Sequence, residues 1–238
     1  MFMRKEPFSV GNYVHVYNRG NRKQAIVHDN KDRNRFLHSL FYFNTEQTPS
    51  NPLQELYELR LNLNKSEWPW PKNWRPRKPI VSIVAFVLMK NHFHLLLKEI
   101  KEGGISKFMQ RLGTGISMHY NIKYQESGSL FQGSYKARCV DEDLYLKYLS
   151  LYIQIKNTFE LYPGGLKKAT KEFDKAYNWA VSYPYGSLGD FVGVRDRGII
   201  VKNIFSELFS NSEEYKDFAR DSISDMYLDE KLGDLTLE

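Results

Sequence analysis

The chain has 238 residues, enough to bury one sizeable core with appendages, and its 34 Lys and Arg against 28 Asp and Glu leave a formal charge of +6. That balance points to a polyanionic partner, and the single Cys139 excludes an intrachain disulfide or a cysteine-rich zinc site. The opening MFMRKEPFSV has no apolar stretch of the secretory kind, and the best apolar run, IVSIVAFVLM, has about half the length that spans a bilayer, so a cytoplasmic protein with no membrane partner is expected.

Along the chain, YVHVYNRGNRKQAIVH (Tyr13 to His28) alternates apolar and polar residues on both sides of a basic, Gly-containing turn, which predicts strand, loop, strand. DNKDRNRFLHSLFYF then starts on a capping residue, Asp29 or Asn30, and carries helical apolar spacing. Residues 45–79 change character: TPSNP and WPWPKNWRPRKP demand irregular backbone around a short helix in LQELYELRLNL, the mark of an insertion. PIVSIVAFVLMKNHFHLLLKE predicts two buried strands joined near Lys90 and Asn91. A helix follows in GISKFMQRLGTGISMHYNIKY, with a flexible Gly113-Thr114-Gly115 centre. LFQGSYKARCV reads as an extended basic and aromatic segment. DEDLYLKYLSLYIQIKNTFELY reads as a strong helix whose first-turn acids, Asp141 to Asp143, suit the helix dipole. This order predicts an α+β fold, with helices packed on a mainly antiparallel central sheet. IVKNIFSELFSNSEEYKDFARDSI predicts a helix or helix pair. The last 18 residues, with six acids against Lys231 alone, read as a solvated acidic tail.

Two features carry chemistry. Side chains alternate along a strand, so His92 and His94 share a face about 6–7 Å apart, where two neutral imidazoles can hold one divalent ion and leave positions open. Two histidines are too few for a closed structural zinc site, and the same pattern arises incidentally in strands. In the helix after residue 142, Tyr145, Tyr148 and Tyr152 lie on one face. A packing stripe accounts best for the first two, whereas a tyrosine hydroxyl aimed at a histidine-bound metal is a nucleophile suited to a phosphodiester.

Together these segments resemble a family. VYNRGNRKQAIV, FVLMKNHFHLLL, GSLFQGSYKARCVD, YLKYLSLYIQIKN and NWAVSYPYGSLGDFVG are similar, in order and spacing, to segments of the HUH single-tyrosine transposases, and among them the REP-associated, IS200-like group. The resemblance spans roughly residues 11 to 193 outside the insertion. It implies a ferredoxin/RRM-like HUH catalytic domain over residues 1–193, with the insertion at about 45–79 and a helical extension with an acidic tail over 194–238. It also implies a metal-dependent single-stranded DNA endonuclease and strand transferase acting at hairpin-flanked sites, as a monomer or homodimer. His92 and His94 would bind Mg²⁺ or Mn²⁺. Tyr152 would be the nucleophile, forming a 5′-phosphotyrosine link and freeing a 3′-hydroxyl.

The sequence departs from the family at one place. Members carry Asn or Gln one helical turn after the tyrosine as a third metal ligand, and Lys156 stands there, with donors but no lone pair. Asn157 lies about 140° around a regular helix from Tyr152, so a π-bulge would be needed to bring it in. Gln154, water, or Lys156 acting directly on phosphate are the alternatives. The same departure suits a second reading, a non-catalytic or domesticated DNA- or RNA-hairpin-binding protein on this fold. A third is a metal hydrolase in which Tyr152 only packs.

For nucleic-acid contacts, Arg19, Arg22 and Lys23 cluster in the basic turn, and Lys136 and Arg138 alternate on one face of SYKARCV; all suit phosphates. Phe131 and Tyr135 suit base stacking or packing equally. Trp68, Trp70 and Trp74, interleaved with Lys72, Arg75, Arg77 and Lys78, suit either a DNA surface or an anchor for the insertion. His15, His28, His38 and His119 have no partner spacing and read as structural or surface residues.

Overall fold

A computed structural model describes residues 8–49, 52–58, 68–202 and 208–224. Four strands, β1 (Tyr13–Arg19), β2 (Val81–Leu88), β3 (His92–Glu99) and β4 (Lys136–Val140), form a sheet in the order β2-β3-β1-β4, with every neighbour antiparallel. Helix α1 (Asn30–Tyr42) connects β1 to β2, and α3 (Gly104–Tyr124) connects β3 to β4. Helix α2 (Pro52–Glu58) lies in the insertion between α1 and β2. This is the α+β, mainly antiparallel layer fold that the sequence pattern predicts, with ferredoxin-like strand order.

One predicted strand is absent. The residues after the basic turn form a short 3₁₀ turn, Asn21–Lys23, and then an irregular segment in which the amides of Ile26 and Val27 donate to Lys90 O at 2.9 and 3.3 Å. The reason is topological: β1 is a central strand with both edges taken by β3 and β4, so a returning hairpin strand has nowhere to pair. The turn itself is tight enough that a Cβ on Gly20 would collide with Gln24 O.

Alternation along β1 and β3 gives the sheet two buried faces. Val14, Val16, Phe93, Leu95 and Leu97 point toward α1 and α3, meeting Phe36, Leu40, Phe108 and Leu112. Helix α1 opens on a capping box between Asp29 and Asp32. Helix α3 begins after Gly103, which has no side chain to cap it, and the buried Glu99 carboxylate accepts from the amides of Gly104 and Ile105 instead. α3 runs unbroken through residues 113–115, correcting the expectation of a flexible centre. Gly115 is required for packing, because a Cβ there would strike the Phe43 ring.

The insertion leaves and re-enters the core at adjacent points. Asn44 accepts from the amides of Ile80 and Val81 and donates to Val81 O, and the Glu46 amide donates to Lys78 O. Trp68 and Trp74 are buried near Phe41 and Tyr42, so these tryptophans anchor the insertion rather than face a DNA strand.

The other sheet face is covered by the C-terminal half of the chain. Helix α4 (Asp143–Leu151) runs into a π-helical turn, Tyr152–Lys156, then α5 (Asn157–Glu160), α6 (Gly165–Lys171), α7 (Phe173–Ser182) and α8 (Leu188–Phe191). Helix α9 (Ser212–Ser224) returns to the same core, burying Tyr215, Ala219 and Ile223 beside Ile153 and Phe159. The acidic tail from residue 225 onward lies outside the described residues. Among the described residues no helix is long and apolar enough to cross a membrane.

Candidate active site

The site forms where the second face of the sheet meets the π turn. Register pairs Tyr17 with His94 and Arg19 with His92 across β1 and β3, and Tyr17 with Lys136 and His15 with Arg138 across β1 and β4. Opposed residues in an antiparallel pair share a face, so His92, His94, His15, Arg19, Lys136 and Arg138 all project to the side that carries the π turn. The His92 and His94 rings are 5.2 Å apart, and the Tyr152 ring lies 5.2 Å from His94, edge-on. Tyr152 is almost wholly buried, with the Lys156 ammonium 5.2 Å from its ring centre.

The π turn decides what stands beside Tyr152. An α-helix advances 100° per residue, whereas a π turn inserts an extra residue and rotates the next side chains back toward the preceding face. The Asn157 side-chain amide donates to Tyr152 O at 2.7 Å, and Asn157 makes a side-chain hydrogen bond with His92. Gln154 is committed elsewhere: it donates to Ser187 Oγ at 2.9 Å and accepts from the Tyr215 hydroxyl at 2.7 Å, both buried. Lys156 reaches Glu160 at 3.6 Å while its ammonium stands over the Tyr152 ring. Tyr148 packs on Phe218, and Tyr145 is half-buried in the same core, as the packing reading has it.

Electrostatics keep the imidazoles neutral. Burial, then the nearby Arg19 charge, lowers His92 to about 4, against a small opposing contribution from the hydrogen bond with Asn157. Burial first, followed by His15, His92, Arg19 and Lys156, holds His94 well below the ordinary histidine range. Neutral rings have lone pairs to offer. For His92 the geometry also says which nitrogen offers it. Asn91 donates its amide to Lys23 O, which turns Asn91 Oδ1 toward His92 Nδ1 at 2.7 Å. A carbonyl oxygen only accepts, so donation to Asn91 puts the proton on Nδ1 and the lone pair on Nε2, leaving Asn157 to meet the other side of the ring. His94 Nε2 is buried with no hydrogen-bond partner among the described residues. Two imidazole lone pairs and the Asn157 carbonyl oxygen fit one divalent cation with positions left open. Among the described residues no three His, Cys, Asp or Glu side chains are placed to hold a metal ion together.

The basic residues divide into two sets. Arg19 flanks His92, and Lys136 and Arg138 are exposed on the edge strand of the same face. Arg22 and Lys23 are exposed in left-handed conformation, in a turn tied to the β2–β3 connection by Gly20 N donating to Asn91 O. Phe131 is buried against Phe93 on the opposite face, and with the half-buried Tyr135 it lines a groove of about 610 Å³ beside α3. His28, His38 and His119 lie with α1, α3 and their flanks, away from the sheet's histidines. His15 corrects the sequence reading. It is fully buried at the site, with Nε2 2.9 Å from His94 Nδ1. One signal was present, since His15 alternates with Tyr13 and Tyr17 on one face of β1, but the cross-strand register was needed to see its partner.

A comparison with curated proteins gives no significant match. Among solved structures the chain is similar to a REP-associated tyrosine transposase bound to a REP hairpin, at 12% identity over 85% of this chain and 89% of that one, with a TM-score of 0.46. Residues 77–156, from just before β2 to the end of the π turn, match the family model described as transposase IS200 like. The matched segment, about a third of the chain, holds His92, His94 and Tyr152.

Proposed function

We propose that this chain is a metal-dependent single-stranded DNA endonuclease and strand transferase that uses Tyr152 as its nucleophile. The observation that carries the reading is the convergence of two neutral histidines, a buried tyrosine and three cationic side chains on one sheet face. In this reading residues 1–193 make up the catalytic domain, the segment at about 45–79 is an insertion, and 194–238 is an extension that braces the π turn through Tyr215. Tyr152 serves the histidine pair of its own chain.

A bound Mg²⁺ or Mn²⁺, held by His92, His94 and Asn157, would offset charge growing on the scissile phosphate. The chain's own residues do the rest. Arg19, Lys136 and Arg138 hold the flanking phosphates, with Arg22 and Lys23 meeting the strand or a hairpin stem beyond. Tyr152 Oη attacks phosphorus, the bond from phosphorus to the 3′-oxygen breaks, the phenol proton passes to solvent, and the departing 3′-oxygen takes one up. The Lys156 ammonium, over the Tyr152 ring, favours the phenolate character that develops as the oxygen attacks. One phosphodiester replaces another, so a later 3′-hydroxyl can reverse the step without nucleotide hydrolysis.

The test uses end-labelled single strands, with and without hairpins, taken from the DNA flanking the protein's own gene. With Mn²⁺, wild type should cut, and Tyr152→Phe and His92→Ala should bind but not cut. Cutting that persists in Tyr152→Phe would replace this reading with a hydrolase that activates water.

A further inference from the structure

His15 lies in mid-β1, opposite Leu96 and diagonal to His94, a position where an apolar side chain would fill the core with no polar group to satisfy. Its ring instead lies edge to edge with that of His94, with centroids 5.1 Å apart and planes 17° apart, and its Nε2 is 2.9 Å from His94 Nδ1. At that distance the two nitrogens share one proton, one ring donating and the other accepting. Two neutral rings joined in this way must adopt the same tautomer, both protonated at Nδ1 or both at Nε2. The outer nitrogens, His94 Nε2 and His15 Nδ1, are buried with no partner among the described residues, so they do not decide between the two. His92 shows the matching arrangement at its Nδ1, which is held by the Asn91 carbonyl oxygen.

We infer that His15 is a positioning residue, which accepts from His94 Nδ1–H and so presents the bare Nε2 of His94 to the cation shared with His92. This rests on the cation reading of the site. Partners of this kind fix the ring orientation and tautomer of a ligating histidine, and their loss commonly weakens metal binding 10–100-fold. The strand register supplies the rest: His15, two residues from Tyr17 on the same face of β1, stands diagonal to His94.

The experiment pairs a cation-free readout with a binding measurement. Long-range proton–nitrogen spectra of histidine-labelled protein report which nitrogen of each ring is protonated, and Mn²⁺ titration by calorimetry reports affinity. Two variants are compared with wild type: His15→Gln, whose side-chain carbonyl can take the place of Nε2 as acceptor, and His15→Leu, which removes it. The expected result is His94 protonated at Nδ1 in wild type, Mn²⁺ affinity about 10–100-fold weaker in His15→Leu at an undiminished melting temperature, and recovery in His15→Gln. His94 protonated at Nε2, or Mn²⁺ bound equally well by His15→Leu, overturns the inference. Should His15→Leu fail to fold, the tautomer of wild type and His15→Gln still decides. A wild-type protein that binds no Mn²⁺ overturns the cation reading, and the tautomer spectrum remains the test of His15.

Discussion

Tyr152 and Asn157 are five residues apart, a spacing that a regular helix would place on different faces and that the π turn brings together. In the proposed site, with Lys156 unable to ligate, the third donor would be Asn157. Asn157→Ala should weaken Mn²⁺ binding by about 10–100-fold, whereas Gln154→Ala should leave it unchanged and lower stability, because Gln154 serves Ser187 and Tyr215. Calorimetric titration and thermal melts of the two variants check this, and equal metal affinity in Asn157→Ala and wild type would remove Asn157 from the site. The histidine pair and the tyrosine were legible in the sequence because strand alternation and a tyrosine-bearing helix are local patterns. His15 was not, since its partner lies 79 residues away and only the register of β1 on β3 brings them together.

At the scale of elements, one cross-link ties the helices together on each face of the sheet. Asp32, buried at the start of α1, accepts from Lys123 Nζ at 2.6 Å, Tyr124 Oη at 2.7 Å and His119 Nε2 at 3.1 Å, all on α3. Burial alone would raise its carboxyl, and these partners overcome that and hold it below the ordinary carboxylate range. Asp32→Ala removes the acceptor of Tyr124 and His119 and leaves the partly buried Lys123 with only the exposed Asp29, and should cost about 1–3 kcal/mol in denaturant unfolding. On the other face, Tyr215→Phe leaves the buried Gln154 carbonyl without its donor and should cost about 1–3 kcal/mol. Denaturation curves of both variants decide, and a loss under about 0.5 kcal/mol in either would show that its link is dispensable. The sequence showed α1, the β2–β3 hairpin, α3, β4 and the tyrosine helix, each from its own periodicity. It missed that the segment after β1 cannot pair, because a hairpin signal carries no information about which sheet edges are occupied.

Across the whole molecule, charge and protonation give two further expectations. His15 is lowered to about 3 and His92 to about 4 by burial, and His94 moves the same way. Each has a folded value below its unfolded value of about 6.5, so the unfolded chain takes up more protons in the interval between them. The stability these neutral rings contribute is present above about pH 6.5 and is lost as pH falls toward about 4, which melts at pH 7, 5.5 and 4.5 should reveal. His15→Gln should flatten that dependence, and an unchanged slope would contradict the burial of a neutral ring. Binding of single strands should weaken with salt, and removing one phosphate contact, as in Lys136→Ala, should reduce the log–log slope by about 0.7. A slope unaltered by Lys136→Ala and Arg138→Ala would move the strand off the β4 edge.

The most direct measurement of the central claim is covalent capture: protein with Mn²⁺ and labelled single strands, denatured and examined for an adduct. The expected product is a strand joined to the peptide that contains Tyr152, absent in Tyr152→Phe and absent when EDTA replaces the metal. Cleavage of the same strands with no adduct, or an adduct that survives in Tyr152→Phe, would contradict it.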